Sequence, residues 1–241
     1  DLRELAPQNI EYDAQRRLHL RGSQFRSLFQ YDPLRTLATL SQGFGDGFSG
    51  KRNVPFPCEA PHHLNQPALP IIATLTEAIH KRKAVQMTYV SLTSGETVRE
   101  IVPHTLVDNG LRWHVRAYDR LQQAFRDFVL TRVKQCSLLL EPTVNDSEQS
   151  TNDEQWNSIV TLELVPHPNL KHKEAIALDY AMVAGLKTVQ VRAAMAGYLL
   201  RLWNVDCSAD HHLTGAEYQL WLRNSACLAV AHNALLAPGM S

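Results

Sequence analysis

The sequence predicts an α+β chain, mostly β in its middle, made of a small N-terminal hairpin, a five-stranded β unit and a C-terminal α+β unit. Three observations carry this. Residues 84–135 alternate apolar and polar side chains in short runs parted by polar turns, the period of strands. Residues 156–241 interleave strand-like and helix-like runs. Residues 9–21 form two short strand-like runs around Asp13-Ala14-Gln15.

In chain order, Asp1–Leu5 reads as the last turn of a helix, stopped at Ala6-Pro7-Gln8 because the residue before a proline leaves the α region. Asn9–Asp13 and Arg16–Arg21 read as a hairpin carrying Tyr12, Arg16, Arg17, His19 and Arg21. Pro33 opens a helix over 33–41, with Leu34, Leu37 and Leu40 at spacings of three. Gly43, Gly45, Gly47 and Gly50, then Pro55, Pro57, Pro61, Pro67 and Pro70, mark an extended connector. A phosphate-cradling loop there lacks both a Gly-Lys-Ser/Thr and a strand to feed it. Ile71–Arg82 is a helix with Ile72, Leu75, Ala78 and Ile79 on one stripe. Lys81-Arg82-Lys83 at its end complement the helix dipole, phosphate binding being the other use of that run.

Met87, Tyr89 and Ser91 share one face of the next strand, which turns at Ser94-Gly95. Val98–Val102 is a second strand ended by Pro103, which cannot donate to a central ladder. Asp108-Asn109-Gly110 is a hairpin turn. Leu111–Tyr118 follows, with Leu111, Trp113, Val115 and Ala117 on one face and Arg112, His114, Arg116 and Tyr118 on the other. Phe125–Leu130 and Ser137–Leu140 complete five short strands, which suit a small barrel. Alternation assigns Trp113, Val115 and either Phe125 or Val129 to its core; Phe128 is open between core and site. The acidic stretch 145–155 reads as a linker. Beyond it come a strand Ile159–Val165, a helix Lys171–Val183 striped by Ala175, Leu178 and Met182, a strand Lys187–Arg192, and a helix Ala194–Asn204 with Leu199, Leu202 and Trp203. A strand Tyr218–Leu222 and a helix Ala226–Leu236 close the chain.

Four of these stretches also carry a resemblance. Tyr89-x-Ser91, Pro103-His104, the run Arg-Trp-His-Val-Arg-Ala-Tyr-Asp over 112–119 and Phe-Arg-Asp-Phe-x-Leu-x-Arg-Val over 125–133 together resemble a WYL domain, the Sm/SH3-like ligand-sensing barrel of bacterial transcriptional regulators. The signature triplet stands here as Trp113-His114-Val115, with His and Val in place of Tyr and Leu. Asp1-Leu2, Pro7–Asp13 and Phe25 resemble the end of the recognition helix and the wing of the winged helix-turn-helix in the defence-associated BrxR/CapW-like branch. The chain begins at Asp1 without a Met, so further helices of that domain are expected upstream. The resemblance implies a wing and remnant winged helix over 1–30, a connector over 31–69, a WYL barrel over 70–143, a linker over 144–155 and an α+β dimerisation domain over 156–241.

Composition narrows the chemistry. Formal net charge is +0, with eight Lys/Arg against seven Asp/Glu over residues 1–60, ten against seven over 61–141 and six against ten over 142–241. No overall field draws nucleic acid, so any contact must use local patches. The four cysteines lack Cys-x-x-Cys spacing, which fits reduced thiols in a cytoplasmic protein. No apolar run approaches the roughly 20 residues of a bilayer span, and no membrane partner is expected. Neither His-Glu-x-x-His nor Gly-x-Ser-x-Gly is present, and His62-His63 and His211-His212 are weak metal candidates at most. No enzyme activity, metal or cofactor is expected.

Tyr89, Ser91, His104, His114, Arg116, Arg126, Phe128 and Arg132 are the candidate ligand residues. Guanidinium forks match phosphate oxygens in pairs and aromatic rings stack bases. The other reading makes each Arg a surface charge paired with Glu96, Glu100, Asp119 or Asp127. Tyr12, Arg16, Arg17 and His19 are candidate wing contacts to DNA phosphate, or else a solvated hairpin. With the resemblance, the sequence is that of a homodimeric regulator, a repressor of a defence or stress operon, holding double-stranded operator DNA and sensing a nucleic-acid-derived or nucleotide ligand. The alternative is a non-catalytic nucleic-acid-binding effector or interaction protein.

Overall fold

The structure, a computed structural model, describes residues 5–27, 32–42, 64–141 and 143–240. It divides into two compact units, residues 1–62 and 63–241. Residues 43–63 of the Gly/Pro connector, with Cys58 and His62-His63, lie outside the described residues, as does all of the first helix but Leu5, which is helical.

In the first unit β1 (Ile10–Asp13) and β2 (Leu18–Arg21) pair antiparallel from Ile10↔Arg21 to Asp13↔Leu18. Asp13 closes the turn, its Oδ1 accepting from the amides of Gln15 at 2.9 Å and Arg16 at 3.1 Å. That turn takes Arg16 and Arg17 out of the predicted strand; Arg17 has φ 53°. The buried Asn9 side chain clips the hairpin base, donating to Arg26 O at 2.7 Å and accepting from Arg26 N at 2.9 Å. Helix α1 (Pro33–Gln42) starts at a proline, and Asp32 caps it through Leu34 N at 2.8 Å.

The second unit opens with α2 (Leu69–Lys81), which buries Ile71, Leu75 and Ala78 against the sheet that follows it. Five antiparallel strands follow: β3 (Val85–Ser91), β4 (Gly95–Asp108), β5 (Trp113–Asp119), β6 (Ala124–Val129) and β7 (Val133–Leu138), ordered β6-β5-β4-β3-β7. Leu75, Val85, Met87, Ile101, Val115, Ala117 and Leu130 fill the core. Pro103 does not end its strand. β4 pairs β3 as far as Ile101 and β5 from Ile101 onward, with the register shifting between Pro103 and Thr105. At Pro103 the strand has a neighbour on one side only and stands at a register shift, the kind of irregular position in which a sheet tolerates proline.

Trp113 is not core but 42% exposed, because it opens β5 beyond the packed layer; Val115, Phe128 and Val129 are buried. The opposite face, assigned to polar residues, is buried too, with His114 at 3% and Arg116 at 5% exposure. The segment 144–155 covers it. Instead of a solvated linker, this segment makes two 3₁₀ turns and the first residues of α3 (Glu154–Asn157). Its acids are drawn in by guanidinium groups: Glu148 accepts from Arg120 Nε and Nη2 at 2.7 and 2.9 Å.

The C-terminal layer is a four-stranded sheet ordered β10-β11-β8-β9, from β8 (Ile159–Pro166), β9 (Lys187–Arg192), β10 (Val205–Asp206) and β11 (Leu220–Leu222), with β10 and β11 parallel. Helix α4 is shorter than predicted, Lys173–Asp179, and buries Ile176 rather than the stripe of Leu178, which is 80% exposed. Positive φ at Ala181 and Ala184 ends it in a turn. Helix α5 (Ala193–Leu202) packs its small residues and Leu200 on this sheet. Gly197 is required there, since a Cβ would stand 2.0 Å from Asn233 O. The predicted last helix is two 3₁₀ segments, Ser225–Val230 and Ala234–Leu236. Between them Val230 O and His232 N bond to the Gln155 side chain at 2.8 and 2.9 Å, so no continuous i→i−4 ladder forms.

Candidate functional site

Arg116, in the middle of β5, is held by two carboxylates. Nε and Nη2 donate to Asp153 Oδ2 and Oδ1 at 2.5 and 2.8 Å, and Nη1 donates to Asp127 Oδ1 at 3.0 Å. Asp153 also caps α3, accepting from Trp156 N at 3.1 Å, and its Oδ2 lies 3.1 Å from His104 Nε2. Burial alone would raise the Asp153 carboxyl; hydrogen bonds from His104 and Arg116, with the Arg116 charge, hold it at about 2. Beyond the cap, the Arg192 guanidinium lies 4.5 Å over the Trp156 ring.

A cleft of about 320 Å³ opens between β5–β6 and the C-terminal layer. Tyr89, Ser91, Arg116, Arg126 and Phe128 line its sheet side, together with Arg99, Asp119, Phe125 and Asp127. Gln155, Ala194, Tyr198, His232 and Asn233 line the other. The remaining sequence candidates sit elsewhere. His104 stands behind Asp153; His114 stacks 5.5 Å from the Tyr198 ring; Arg132 lies in the turn after β6. Burial lowers the His114 pKa against the pull of Asp127, and its Nδ1 has no partner among the described residues.

Most polar groups in the cleft are already used. Asp127 accepts from Arg116 and, through Oδ2, from Tyr198 OH at 3.2 Å; burial, then Asp127, raises the Tyr198 pKa. Asp119 accepts from Arg99 at 2.7 Å and Leu121 N at 3.0 Å. Both Asn233 groups are spent on α5, donating to Ala194 O at 2.6 Å and accepting from Gly197 N at 3.1 Å. Ser91 Oγ serves its own turn, accepting from Thr93 N at 3.2 Å. Three groups stand ready, one of them the His232 imidazole, exposed and without a side-chain partner among the described residues. Arg126 is exposed and without a partner among the described residues. The Tyr89 hydroxyl accepts from Val129 N at 3.3 Å and keeps its proton to donate. A cleft whose carboxylates are paired and whose spare groups include a guanidinium and a hydroxyl proton suits an anion.

Sequence reading missed the far wall. Gln155, Tyr198, His232 and Asn233 belong to no motif, and only tertiary packing brings them to β5. The acids it offered as surface partners do pair with arginines: Asp119 with Arg99, Asp127 with Arg116, and Glu100 with Arg120 at 3.3 Å.

The hairpin carries Tyr12, Arg16, Arg17 and His19, all exposed. Tyr12 and His19 face each other across the ladder at 5.1 Å between rings. Arg16 Nε is 3.9 Å from Asp13 Oδ2, a loose solvated pair.

The other chemical clusters are structural. Ser208 Oγ and His167 Nε2 both bond to Asp206, at 2.6 and 3.1 Å, so the acid lies between them and no base activates the hydroxyl. Among the described residues no three His, Cys, Asp or Glu are placed to hold a metal, and no helix is long and apolar enough to cross a membrane.

Comparison with known proteins agrees with both layers of this unit. A profile described as WYL domain matches residues 70–138, and one described as BrxR transcriptional regulator, C-terminal dimerization domain, matches residues 159–228. The DNA-binding transcriptional repressor CapW of Pseudomonas aeruginosa is 32% identical over 213 residues, 84% of this chain and 69% of that protein. CapW of Escherichia coli (strain KTE188) is 31% identical over 232 residues, 91% of this chain and 75% of that protein. Among solved structures, proteasome accessory factor B/C (PafBC) of Arthrobacter aurescens aligns with TM-score 0.31 and 20% identity over 56% of this chain and 24% of its own length, too low a likeness to add to the assignment. On the CapW matches, which span most of both chains, this chain belongs to the CapW family of WYL-domain transcriptional repressors.

Proposed function

We propose that this regulator binds operator DNA and releases it when an anionic, nucleic-acid-derived or nucleotide ligand enters the cleft. The carrying observation is the polar inventory of that cleft: its carboxylates Asp119 and Asp127 are paired, while Arg126 and the Tyr89 hydroxyl remain free to donate. Phe125 also lines the cleft and offers it a ring. The five-stranded unit, residues 70–143, is read as an Sm/SH3-like barrel, which suits a β4 of 14 residues that passes from one neighbour to another. Residues 1–30 are read as the wing of a winged helix, with Tyr12, Arg16, Arg17 and His19 toward DNA phosphate, and 31–69 as the connector. Residues 144–155 join the barrel to a dimerisation domain over 156–241, the reading that the BrxR profile supports. A two-fold dimer calls for a pseudo-palindromic operator. The cell compartment is read as the cytoplasm and the target as a defence operon, which is what the resemblance to the BrxR/CapW-like branch implies.

Binding of a labelled, 5′-phosphorylated short single-stranded DNA to the intact chain tests the cleft. Arg126→Ala should weaken it roughly 10- to 100-fold, the equivalent of one charge-assisted hydrogen-bonding group. Arg16→Ala and Arg17→Ala should leave it alone. Equal affinity in Arg126→Ala and wild type would place the ligand elsewhere.

A further inference from the structure

We propose that Asp153 is a built-in competitor for the ligand: its carboxylate occupies the guanidinium of Arg116 as an incoming anion would, so that filling the cleft and latching the sheet to the C-terminal layer exclude one another. This rests on the reading of the cleft as the ligand site.

The two oxygens of Asp153 meet Nε and Nη2 of one guanidinium, the two-point geometry in which Arg also grips phosphate. Arg116 lines the cleft and Asp153 does not. Arg116 thus has one side on the latch and another on the ligand volume, where an anion entering the cleft can recruit it. The Asp127 carboxylate opposes that anion, and its own ties to Arg116 Nη1 and Tyr198 OH would be drawn into the same exchange.

Asp153 is also where movement would be transmitted. It caps α3, whose Trp156 lies under Arg192 at the end of β9. The adjoining Gln155 holds Val230 O and His232 N. Loss of the Arg116 pair therefore loosens one short segment with holds on β9 and on the C-terminal 3₁₀ turns. A ligand shifts such an equilibrium only by its preference for one state, and here the preference is the guanidinium that the unlatched state makes available.

The test compares wild type, Asp153→Asn and Asp153→Ser in the intact chain; Asn and Ser both keep a cap for α3 while removing the charge. Two quantities are read: affinity for the 5′-phosphorylated short single-stranded DNA, and hydrogen exchange of amides 154–157. Both variants should bind the probe about tenfold more tightly, within the roughly 5- to 150-fold range of site couplings. Exchange at 154–157 should rise when probe is added to wild type and be raised already in the variants. Unchanged or weaker binding by two folded variants, while Arg126→Ala still weakens it, would overturn the latch and leave the cleft standing. Probe binding that is insensitive to Arg126→Ala and to both Asp153 variants would overturn the cleft and the latch together.

Discussion

Asp153→Asn also has a stability consequence that can be worked from the structure. In the fold its carboxyl is held at about 2 against an ordinary 3.8. At 1.36 kcal/mol per pH unit this is about 2 kcal/mol of stability at neutral pH. The folded value lies below the unfolded one, so the contribution is complete above the unfolded pKa and is lost as pH falls through about 4 toward 2. Breaking a buried ion pair costs about 3–5 kcal/mol when the remaining charge is stranded. Arg116 is not stranded, because Asp127 still accepts from it at 3.0 Å, and a loss of about 2–3 kcal/mol is expected. In a chain of this size that lowers Tm by about 4–12 °C. Urea unfolding of wild type and Asp153→Asn from pH 7 downward measures the gap directly, since other carboxylates cancel in the difference. A gap under about 0.5 kcal/mol at pH 7, or one that does not shrink in acid, would refute the account of Asp153 as a paired buried anion.

Three further outcomes are expected. Gly197→Ala drives a methyl into the Asn233 carbonyl and should cost about 1–3 kcal/mol by urea unfolding, separating α5 from the 232–233 segment. Arg120→Ala leaves the buried Glu148 with only its capping-box amide and should destabilise by about 2–3 kcal/mol, an effect that diminishes in acid because Glu148, whose burial is outweighed by Arg120, titrates below its ordinary value in the fold. Arg16→Ala with Arg17→Ala should weaken operator binding and reduce its logarithmic salt slope by roughly 0.9 for each DNA phosphate that is no longer neutralised, as read by anisotropy at several salt concentrations.

Most strands were legible in the sequence because alternation and turn chemistry are local, although β7 runs over Val133–Leu138 and not Ser137–Leu140. Asp108-Asn109-Gly110 turns where predicted, with φ 81° at Gly110, and Lys187–Arg192 matches its predicted bounds. What sequence could not supply was the second layer over β5. Read alone, Arg112, His114 and Arg116 are the wet side of a strand; only the approach of 144–157 and Tyr198 makes His114 and Arg116 interior. The acidity of 145–155, a sign of a solvated linker by composition, has the opposite origin here, because Glu148 and Asp153 are buried counter-charges for Arg120 and Arg116. Pro103 misled for a similar reason: whether a missing N–H matters depends on which side of the strand has a neighbour. Helix propensity over 226–236 lost to bonds from Gln155, about 75 residues away in sequence. Of the candidate cleft, Tyr89, Ser91, Arg116, Arg126 and Phe128 were readable from spaced motifs, and the wall opposite them was not.

The central claim, that one chain couples the cleft to operator binding, is tested most directly by anisotropy of its own promoter DNA with the intact protein, titrated with the 5′-phosphorylated single-stranded DNA. Specific, salt-sensitive operator binding that the oligonucleotide releases is expected, with Arg126→Ala needing roughly 10- to 100-fold more of it. Operator binding that the oligonucleotide leaves untouched, although the protein binds the oligonucleotide, would contradict the coupling. Absence of specific operator binding with oligonucleotide still held would favour a nucleic-acid-binding effector.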